Sequence, residues 1–238
     1  MKYLDLKKDG NVFVITLIDG ENKNTFRSEA LVEYNQIFDE IEGSPGNASM
    51  VITSSDPKFF SNGINLQWFS SVSVEERNDF LYQVKMTLLR ASTLNLPTIA
   101  CITGHAYAMG AIMASSMDFR IMRADRSRFC FPEATYGMPL DDPLIALINN
   151  LSSPAAVNEM VLSGKALTGE ECLEKGLVHS IYPESELFEK AMAFARDMAS
   201  KERSNYALIK NNLKKSLKDM YNNWCMDAPS KPSLSMAS

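Results

Sequence analysis

Short apolar runs alternate with helix-like patterns through the first half of the chain. Residues 11–18 and 49–54 are rich in β-branched side chains and are bounded by Gly, Asp or Pro, which predicts two buried strands. Between them, an apolar stripe at helical spacing starts at Leu31 and ends near Gly43, as expected of an amphipathic helix. Strand, helix and strand in this order form the unit from which parallel or mixed α/β sheets are built.

The alternation continues to about residue 137. Residues 74–91 predict a second, longer helix. Further extended segments are predicted at residues 96–102, 118–122 and 129–131. We therefore expect an α/β core over residues 1–137.

After Gly137 the pattern becomes helical. Thr168 and Glu171 have the spacing of a capping box, which marks the start of one helix. The helical patterns cover residues 139–151, 154–162, 168–175, 184–200 and 203–223. We expect a helical region over residues 138–226. The last stretch, 227–238, is rich in Ser, Pro and Ala and is predicted to be disordered.

Composition argues against several classes of protein. The 238 residues are 45% hydrophobic and 22% charged, as in ordinary globular domains, and the net charge of -5 does not favour nucleic acid or anionic membranes. Four scattered cysteines and two histidines form no metal-ligand pattern, so we expect no metal site and reduced thiols. The charged N-terminus and the lack of an apolar run of about 18 residues predict a cytoplasmic protein.

Residues 102–111 form the stretch most suggestive of chemistry. They join an apolar run to a run of small residues, which predicts a buried strand, a glycine-containing turn and the first turn of a helix. A helix N-terminus leaves backbone N–H groups free, and such groups stabilise the negative charge that develops in acyl-transfer and enolate chemistry. The alternative is that Gly104 and Gly110 serve only a tight turn and close packing.

Glu133 is the carboxylate best placed for acid–base chemistry. It follows Phe131 and Pro132 in an apolar and aromatic stretch, so burial would raise its pKa toward the range that suits a general acid or base. The alternative is structural: Glu133 caps the following turn, or it pairs with Arg126 or Arg128 at the surface.

Other ionisable residues favour structural roles. His105 lies in a turn that needs small residues, and Asp141 and Asp142 precede Pro143, as at a helix N-terminus. A basic run at helical spacing is typical of a solvated face, with a phosphate contact as the less common alternative. Its members are Lys210, Lys214, Lys215 and Lys218.

Residues 60–66, 104–110, 131–133 and 161–178 carry four short motifs in a fixed order. Together they resemble the crotonase superfamily, the enoyl-CoA hydratase/isomerase family, and within it the enoyl-CoA delta-isomerases most. The likeness extends over about residues 3–225. It implies a crotonase-like spiral core of ββα units, with the C-terminal helices forming a trimerisation region.

The resemblance assigns roles to individual residues. The backbone N–H groups of Ile64 and Met109 match the family's oxyanion hole for a thioester carbonyl, and Glu133 matches its catalytic carboxylate. Other matched positions are expected to bind the substrate: Asn24, Ser61, Asn62, Gly63, Asn65, Gly110 and Ile112. CoA would enter as part of the thioester substrate, so neither a separate cofactor nor a metal is implied.

One departure from the family pattern bears on the reaction. Hydratases of the family carry two glutamates, and here the first of these positions is Ile112 while the second is Glu133. One carboxylate suffices to move a proton from C2 to C4 of an acyl chain. The resemblance therefore implies an isomerase of the fatty-acid β-oxidation type that converts a 3-enoyl-CoA to a 2-trans-enoyl-CoA. The alternatives are a hydratase, an acyl-CoA decarboxylase or a non-catalytic acyl-CoA-binding member.

The expected partners are an acyl-CoA and further copies of the chain, in a homotrimer or a dimer of trimers. Neither nucleic acid nor a membrane is expected. In relatives the C-terminal helices also contact the phosphates of CoA, which would give the basic run a second role.

Overall fold

The computed structural model describes residues 1–227, which form a six-stranded sheet, a three-stranded sheet and eleven α-helices. The strands are β1 (Leu4–Asp9), β2 (Val12–Leu17), β3 (Ser49–Ser54), β4 (Phe59–Ser61), β5 (Thr98–Ile102), β6 (His105–Tyr107), β7 (Phe119–Arg123), β8 (Phe129–Cys130) and β9 (Ser180–Tyr182). The helices are α1 (Ser28–Gly43), α2 (Leu66–Ser71), α3 (Val74–Thr93), α4 (Met109–Ser116), α5 (Glu133–Tyr136), α6 (Asp142–Ile148), α7 (Pro154–Ser163), α8 (Gly169–Glu174), α9 (Glu184–Met198), α10 (Arg203–Leu213) and α11 (Lys215–Asp227). The predicted α/β class is confirmed.

The larger sheet has the strand order β1-β2-β3-β5-β7-β9, and only the β1–β2 pair is antiparallel. One face carries the main core, to which α1, α3 and α4 contribute. The opposite face packs against α9 through Leu187, Ala191 and Ala195. Because both faces are covered, β3 and β5 are buried at every position. The apolar segments 50–52 and 99–102 within these strands follow from this burial.

Several elements differ from the sequence prediction: β4, α2 and α5 were not predicted, and β6 lies within the predicted glycine-containing turn. β1 was not predicted, since its alternation of Leu4 and Leu6 with polar residues ends in exposed, charged positions. β9 lies in the region predicted to be helical, yet it extends the large sheet by pairing with β7. The predicted helix over 203–223 is two helices, α10 and α11, separated at Lys214. Of the tail predicted to be disordered over 227–238, Asp227 ends α11, and residues 228–238 lie outside the described residues.

The smaller sheet consists of β4, β6 and β8, all parallel. Phe59 pairs with His105, and Ala106 pairs with Phe129. The inward side chains of Phe60, Ala106 and Phe129 have no exposed surface and fix this sheet to the core. Since the three strands are parallel, their carboxyl ends lie along one edge.

The basic run near the C-terminus is not a single solvated face. Lys210 is buried, and its Nζ lies 2.8 Å from Asp118 Oδ2 and 3.1 Å from the Leu96 carbonyl oxygen. Burial lowers the pKa of Lys210, while Asp118 opposes that change. Burial also lowers the pKa of the half-buried Lys214, to about 8. Lys210 therefore holds α10 on the core and is not placed to contact phosphate.

No helix within residues 1–227 has the length and apolarity needed to cross a membrane. In the same residues, no group of three or more His, Cys, Asp or Glu side chains is arranged to hold a metal ion. The four cysteines are free thiols. A cytoplasmic location and the trimerisation role of the C-terminal helices stay predictions.

We predict that Asp118→Ala lowers the free energy of unfolding by about 3–5 kcal/mol, because it leaves the Lys210 charge buried without its counter-ion. The substitution also removes acceptors for the Thr98 N–H and the Tyr206 hydroxyl. Urea unfolding measures the loss. Asp197→Ala, which removes an exposed pair with Lys201, is the control and should cost far less. Equal losses in the two variants would contradict the assignment.

Candidate active site

Three predicted functional residues follow the carboxyl ends of the three strands of the smaller sheet. Ile64 follows β4, Met109 follows β6 and Glu133 follows β8. The Ala108 N–H donates to the Cys130 carbonyl oxygen at 3.0 Å, which extends the β6–β8 pairing to this edge. Ligands of parallel α/β sheets commonly bind beyond the carboxyl ends of the strands. The topology thus brings together residues that are far apart in the sequence.

The turns after β4 and β6 are in contact at Gly63. Gly63 has φ +81°, and a Cβ atom there would lie 2.8 Å from Ala108 Cβ and 3.2 Å from Met109 N. Ala108 itself has φ 50°, a conformation that costs a residue with a Cβ of order 1–3 kcal/mol. Only glycine at position 63 allows the Ile64 and Met109 segments to come this close.

A second close approach involves Gly110. A Cβ atom at this position would lie 2.7 Å from Ser61 Cβ, so the first turn of α4 rests directly on the end of β4. The close packing that the alternative assigned to Gly110 is therefore present. Packing and function are compatible here, because the close approach is what places Met109 beside Gly63.

The N–H groups of Ile64 and Met109 are both free. Within residues 1–227 neither donates a hydrogen bond to a protein acceptor. Met109 is the first residue of α4, and its N-cap residue Ala108 provides no side-chain cap. The positive end of the helix dipole therefore adds to the Met109 donor. Two such donors on adjacent turns are suited to stabilising a developing oxyanion.

Glu133 is 7% exposed, and no cation in residues 1–227 forms an ion pair with it. Its Oε2 atom is buried without a hydrogen-bond partner. Burial raises the pKa of the carboxyl, and the residue's own backbone N–H opposes the rise in part. The surface-pairing alternative is wrong, since Glu133 is buried and Arg128 donates to the Ser127 carbonyl oxygen. As for the capping alternative, the N-cap residue of α5 is Pro132, which has no side-chain donor or acceptor, and the Glu133 carboxyl bonds to its own backbone N–H.

Cys130 is a neighbour of Glu133 that the sequence did not single out. Burial, and to a lesser extent the Glu133 charge, raise the pKa of its thiol to about 11. Its Sγ donates to the Gly164 carbonyl oxygen at 3.2 Å. The thiol is thus protonated near neutral pH and leaves Glu133 as the basic group at this position.

The predicted substrate-binding residues mostly serve the fold in this structure. Asn65 caps α2 by accepting a hydrogen bond from the Trp68 N–H at 3.0 Å. Ile112 has no exposed surface and belongs to the main core. Asn24 and Ser61 are also buried, whereas Asn62 is half-buried. Contacts of these residues with a substrate stay a prediction.

The other ionisable candidates have structural partners. Asp141 is the N-cap residue of α6 and forms an ion pair with Lys85 of α3, and Asp142 is exposed. His105 packs edge-on against Phe59, with 5.5 Å between ring centres. Its pKa is lowered by burial first, and then by Arg128 and Lys58. The structural interpretation of His105 is supported.

The profile of the enoyl-CoA hydratase/isomerase family matches residues 7–226. The chain belongs to this family. Enoyl-CoA delta isomerase 3 of Arabidopsis thaliana is 32% identical over 216 residues, which are 87% of this chain and 90% of that protein. Carnitinyl-CoA dehydratase of Escherichia coli K12 is 29% identical over 197 residues, 83% of this chain and 74% of that protein.

A solved structure supports the fold of this family member. An enoyl-CoA hydratase/isomerase family protein from Pseudomonas syringae has a TM-score of 0.87 at 23% identity, covering 93% of this chain and 94% of that one. The resemblance stated from the sequence and the crotonase-like fold are thus confirmed. The chain is an enzyme of the enoyl-CoA hydratase/isomerase family.

We predict that Glu133→Gln makes the enzyme more stable at neutral pH. The folded state holds the Glu133 proton more tightly than the unfolded state, since burial raises the pKa. The free energy of unfolding therefore falls as pH rises from the pKa of Glu133 in the unfolded state through its higher pKa in the folded state. Above the folded-state pKa, the ionised carboxylate remains destabilising because it is buried. Glutamine removes that cost.

Urea unfolding at neutral pH and at a pH below the ordinary glutamate range measures the difference. The gain should shrink at the lower pH, where the wild-type carboxyl is protonated. A variant that is less stable than wild type at neutral pH would contradict the prediction. Glu171→Gln is a control of opposite sign, because the Thr168 N–H and Lys165 lower the pKa of Glu171.

Proposed function

We propose that this chain is an enoyl-CoA isomerase that converts a 3-enoyl-CoA to a 2-trans-enoyl-CoA. The observation that carries the proposal is one buried carboxylate without an ion-pair partner, Glu133, at the edge where two free backbone N–H groups lie. The apolar Ile112 stands where a hydratase of the family carries its other glutamate. Similarity to an enoyl-CoA delta isomerase over most of both chains supports the same reaction.

In the proposed reaction the thioester carbonyl oxygen accepts hydrogen bonds from the N–H groups of Ile64 and Met109. Glu133 removes a proton from C2, and the electron pair of that C–H bond moves into the thioester to form a dienolate. The protonated Glu133 then returns the proton to C4, and the double bond shifts to C2–C3. Atoms and charge balance without a cofactor, because the proton is only relocated.

The burial of Glu133 suits both halves of this cycle. A carboxylate in an apolar setting is a stronger base than one in water, so its raised pKa favours proton removal from carbon. The two N–H donors lower the cost of the enolate, and losing one such donor typically costs about 2.7–4 kcal/mol. One group can therefore act first as base and then as acid.

A dehydratase or hydratase is the second candidate, and the carnitinyl-CoA dehydratase relative favours it. Adding or removing water requires one group to handle the water and another to handle the carbon-bound proton. Ile112 cannot do either, and it is fully buried in the core. We therefore place this candidate below the isomerase.

We further propose that the enzyme is a homotrimer assembled through its C-terminal helices. Leu208, Ile209 and Leu213 of α10 are more than half exposed, which leaves an apolar surface in this region. Exposed apolar patches of this kind are typical of protein–protein interfaces. Of the basic run, Lys215 is exposed and stays available to an anion, whereas Lys210 is buried.

We predict that the purified protein isomerises a 3-enoyl-CoA and that Glu133→Gln lowers kcat by at least about 10²–10⁴-fold. Ultraviolet absorbance of the conjugated product measures turnover. Glu40→Gln, an exposed glutamate on α1, is the matched control and should keep full activity. The rate should fall as pH decreases through the raised pKa of Glu133, because the base must be ionised.

The substrate set separates the alternatives. Hydration of a 2-enoyl-CoA with no isomerisation would favour the hydratase, and carbon dioxide release from a malonyl-type thioester would favour a decarboxylase. Tight binding of CoA esters with no turnover would favour a non-catalytic member. Full isomerase activity in Glu133→Gln would contradict the proposed mechanism.

A further inference from the structure

We infer that Asn24 and Ser61 are positioning residues, which set the oxyanion hole by holding the Ile64 segment in place. The resemblance to the family suggested that both side chains bind the substrate. Their hydrogen bonds point instead to a role within the protein. The inference rests on the proposed function only in taking the Ile64 and Met109 N–H groups as the hole that the reaction uses.

The loop between β2 and α1 has an unusual backbone. After a 3-10 turn at Gly20–Asn22, both Lys23 and Asn24 adopt left-handed conformations, with φ 56° and 51°. Asparagine tolerates this region better than most residues. The Asn24 N–H donates to the Asp19 carbonyl oxygen at 2.9 Å, which closes the loop. The turn thereby directs the Asn24 side chain into the protein, where the residue is 7% exposed.

The Asn24 side-chain amide joins three segments. Its Nδ2 lies 2.8 Å from Ser54 Oγ at the end of β3, and 3.2 and 3.1 Å from the carbonyl oxygens of Phe59 and Phe60 in β4. The donors of this amide are thus engaged within the protein. Asn24 also lines a small cavity with Asp19, Thr25 and Tyr34, and that lining includes neither Ile64, Met109 nor Glu133.

The Ser61 hydroxyl is engaged in the same way. Its Oγ donates to the Asn24 carbonyl oxygen at 2.8 Å and accepts from the Gly63 N–H at 3.3 Å. Ser61 is 1% exposed, and Gly110 of α4 rests against it. One hydroxyl therefore connects the β2–α1 loop to the turn after β4, at the residue that Gly110 of α4 approaches.

Backbone pairing explains why this arrangement leaves Ile64 with a free donor. The Phe26 N–H donates to the Gly63 carbonyl oxygen at 2.7 Å, and the Asn65 N–H donates to the Phe26 carbonyl oxygen at 3.4 Å. These bonds flank Ile64 in a parallel bridge with Phe26. In a parallel ladder, the residue between two such bonds directs its own N–H to the opposite side. The loop that Asn24 and Ser61 hold thus orients the Ile64 N–H.

Displacement of the Ile64 N–H should lower the rate of the reaction, because the oxyanion hole consists of backbone donors. A backbone donor is useful only where it meets the oxyanion, and a misplacement of about 1 Å is enough to cost about 10²-fold in rate. Loosening the loop should therefore weaken transition-state stabilisation. The binding of the rest of the CoA ester should change little, since no direct contact is lost.

The test compares Asn24→Gly, Asn24→Asp and Ser61→Ala with wild type. Asn24→Gly removes the amide but keeps the left-handed backbone, and Asn24→Asp keeps the shape while losing the donors. Ser55→Ala is the matched control, because the Ser55 hydroxyl bonds to the Leu17 carbonyl oxygen and not to β4 or the turn after it. Circular dichroism and urea unfolding select the variants that fold.

We expect kcat to fall by about 10–100-fold in the three variants, with KM within about threefold of wild type. Ser55→Ala should match wild type in both. A rise in KM with kcat unchanged would overturn the inference, because it would make the side chains substrate contacts. Full activity in Ser61→Ala and in a folded Asn24 variant would overturn it as well.

A second readout separates this inference from the proposed function. The carbonyl stretching band of a bound, ¹³C-labelled saturated acyl-CoA reports polarisation by the hole without any turnover. If wild type shows no isomerase activity, the proposed function fails, and the inference is decided by this band alone. A shift to lower frequency in wild type that is lost in the variants supports it, and an equal shift in all proteins overturns it.

Discussion

The contact between the turns that follow β4 and β6 is the constraint on which the rest of the site depends. Gly63 meets Ala108 and Met109, and Gly110 meets Ser61, at distances that leave no room for a larger residue. The smaller sheet brings these two turns together, because its strands are parallel and their carboxyl ends lie side by side. The strained Ala108 backbone shows that the surrounding packing over-determines this contact.

One residue of the candidate site, Glu133, lowers the stability of the folded protein. A carboxylate as buried as Glu133 is normally paired or hydrogen-bonded, yet Oε2 has no partner among the described residues. Two other buried charged residues are satisfied: Lys210 is paired with Asp118, and Arg120 donates to carbonyl oxygens of Ala114, Met117 and Leu177. Glu133 differs from both, and it stands at the position where the proposed reaction requires a reactive group.

The parts of the fold that sequence predicted are those whose burial is visible locally. β3 and β5 carry consecutive apolar residues at 50–52 and 99–102 because both sheet faces are covered, and the burial of Glu133 follows from its aromatic neighbours in the chain. β9 was missed because three residues carry too little pattern. The burial of Lys210 depends on Asp118, 92 positions away, which helical spacing cannot reveal.

The same limit applies within the site. Substrate contacts of the residues expected to bind it stay a prediction, and the hydrogen bonds that these residues do form involve partners distant in sequence. Asn24 bonds to Phe60, 36 positions later, and only through a left-handed backbone that no local signal specified. The sequence therefore indicated which segments to consider for the site, whereas the hydrogen-bond partners of each side chain are defined only by the tertiary structure.

The shielding of Glu133 has one more consequence, which concerns isotopes. A carboxyl group that is 7% exposed has little contact with water, and this shielding favours return of its proton to carbon over exchange with solvent. In the proposed cycle, the hydrogen that leaves C2 would reach C4 as the same nucleus. A reaction in heavy water would then yield product with little deuterium at C4, and its deuterium content would measure how well the fold isolates its single base from the solvent.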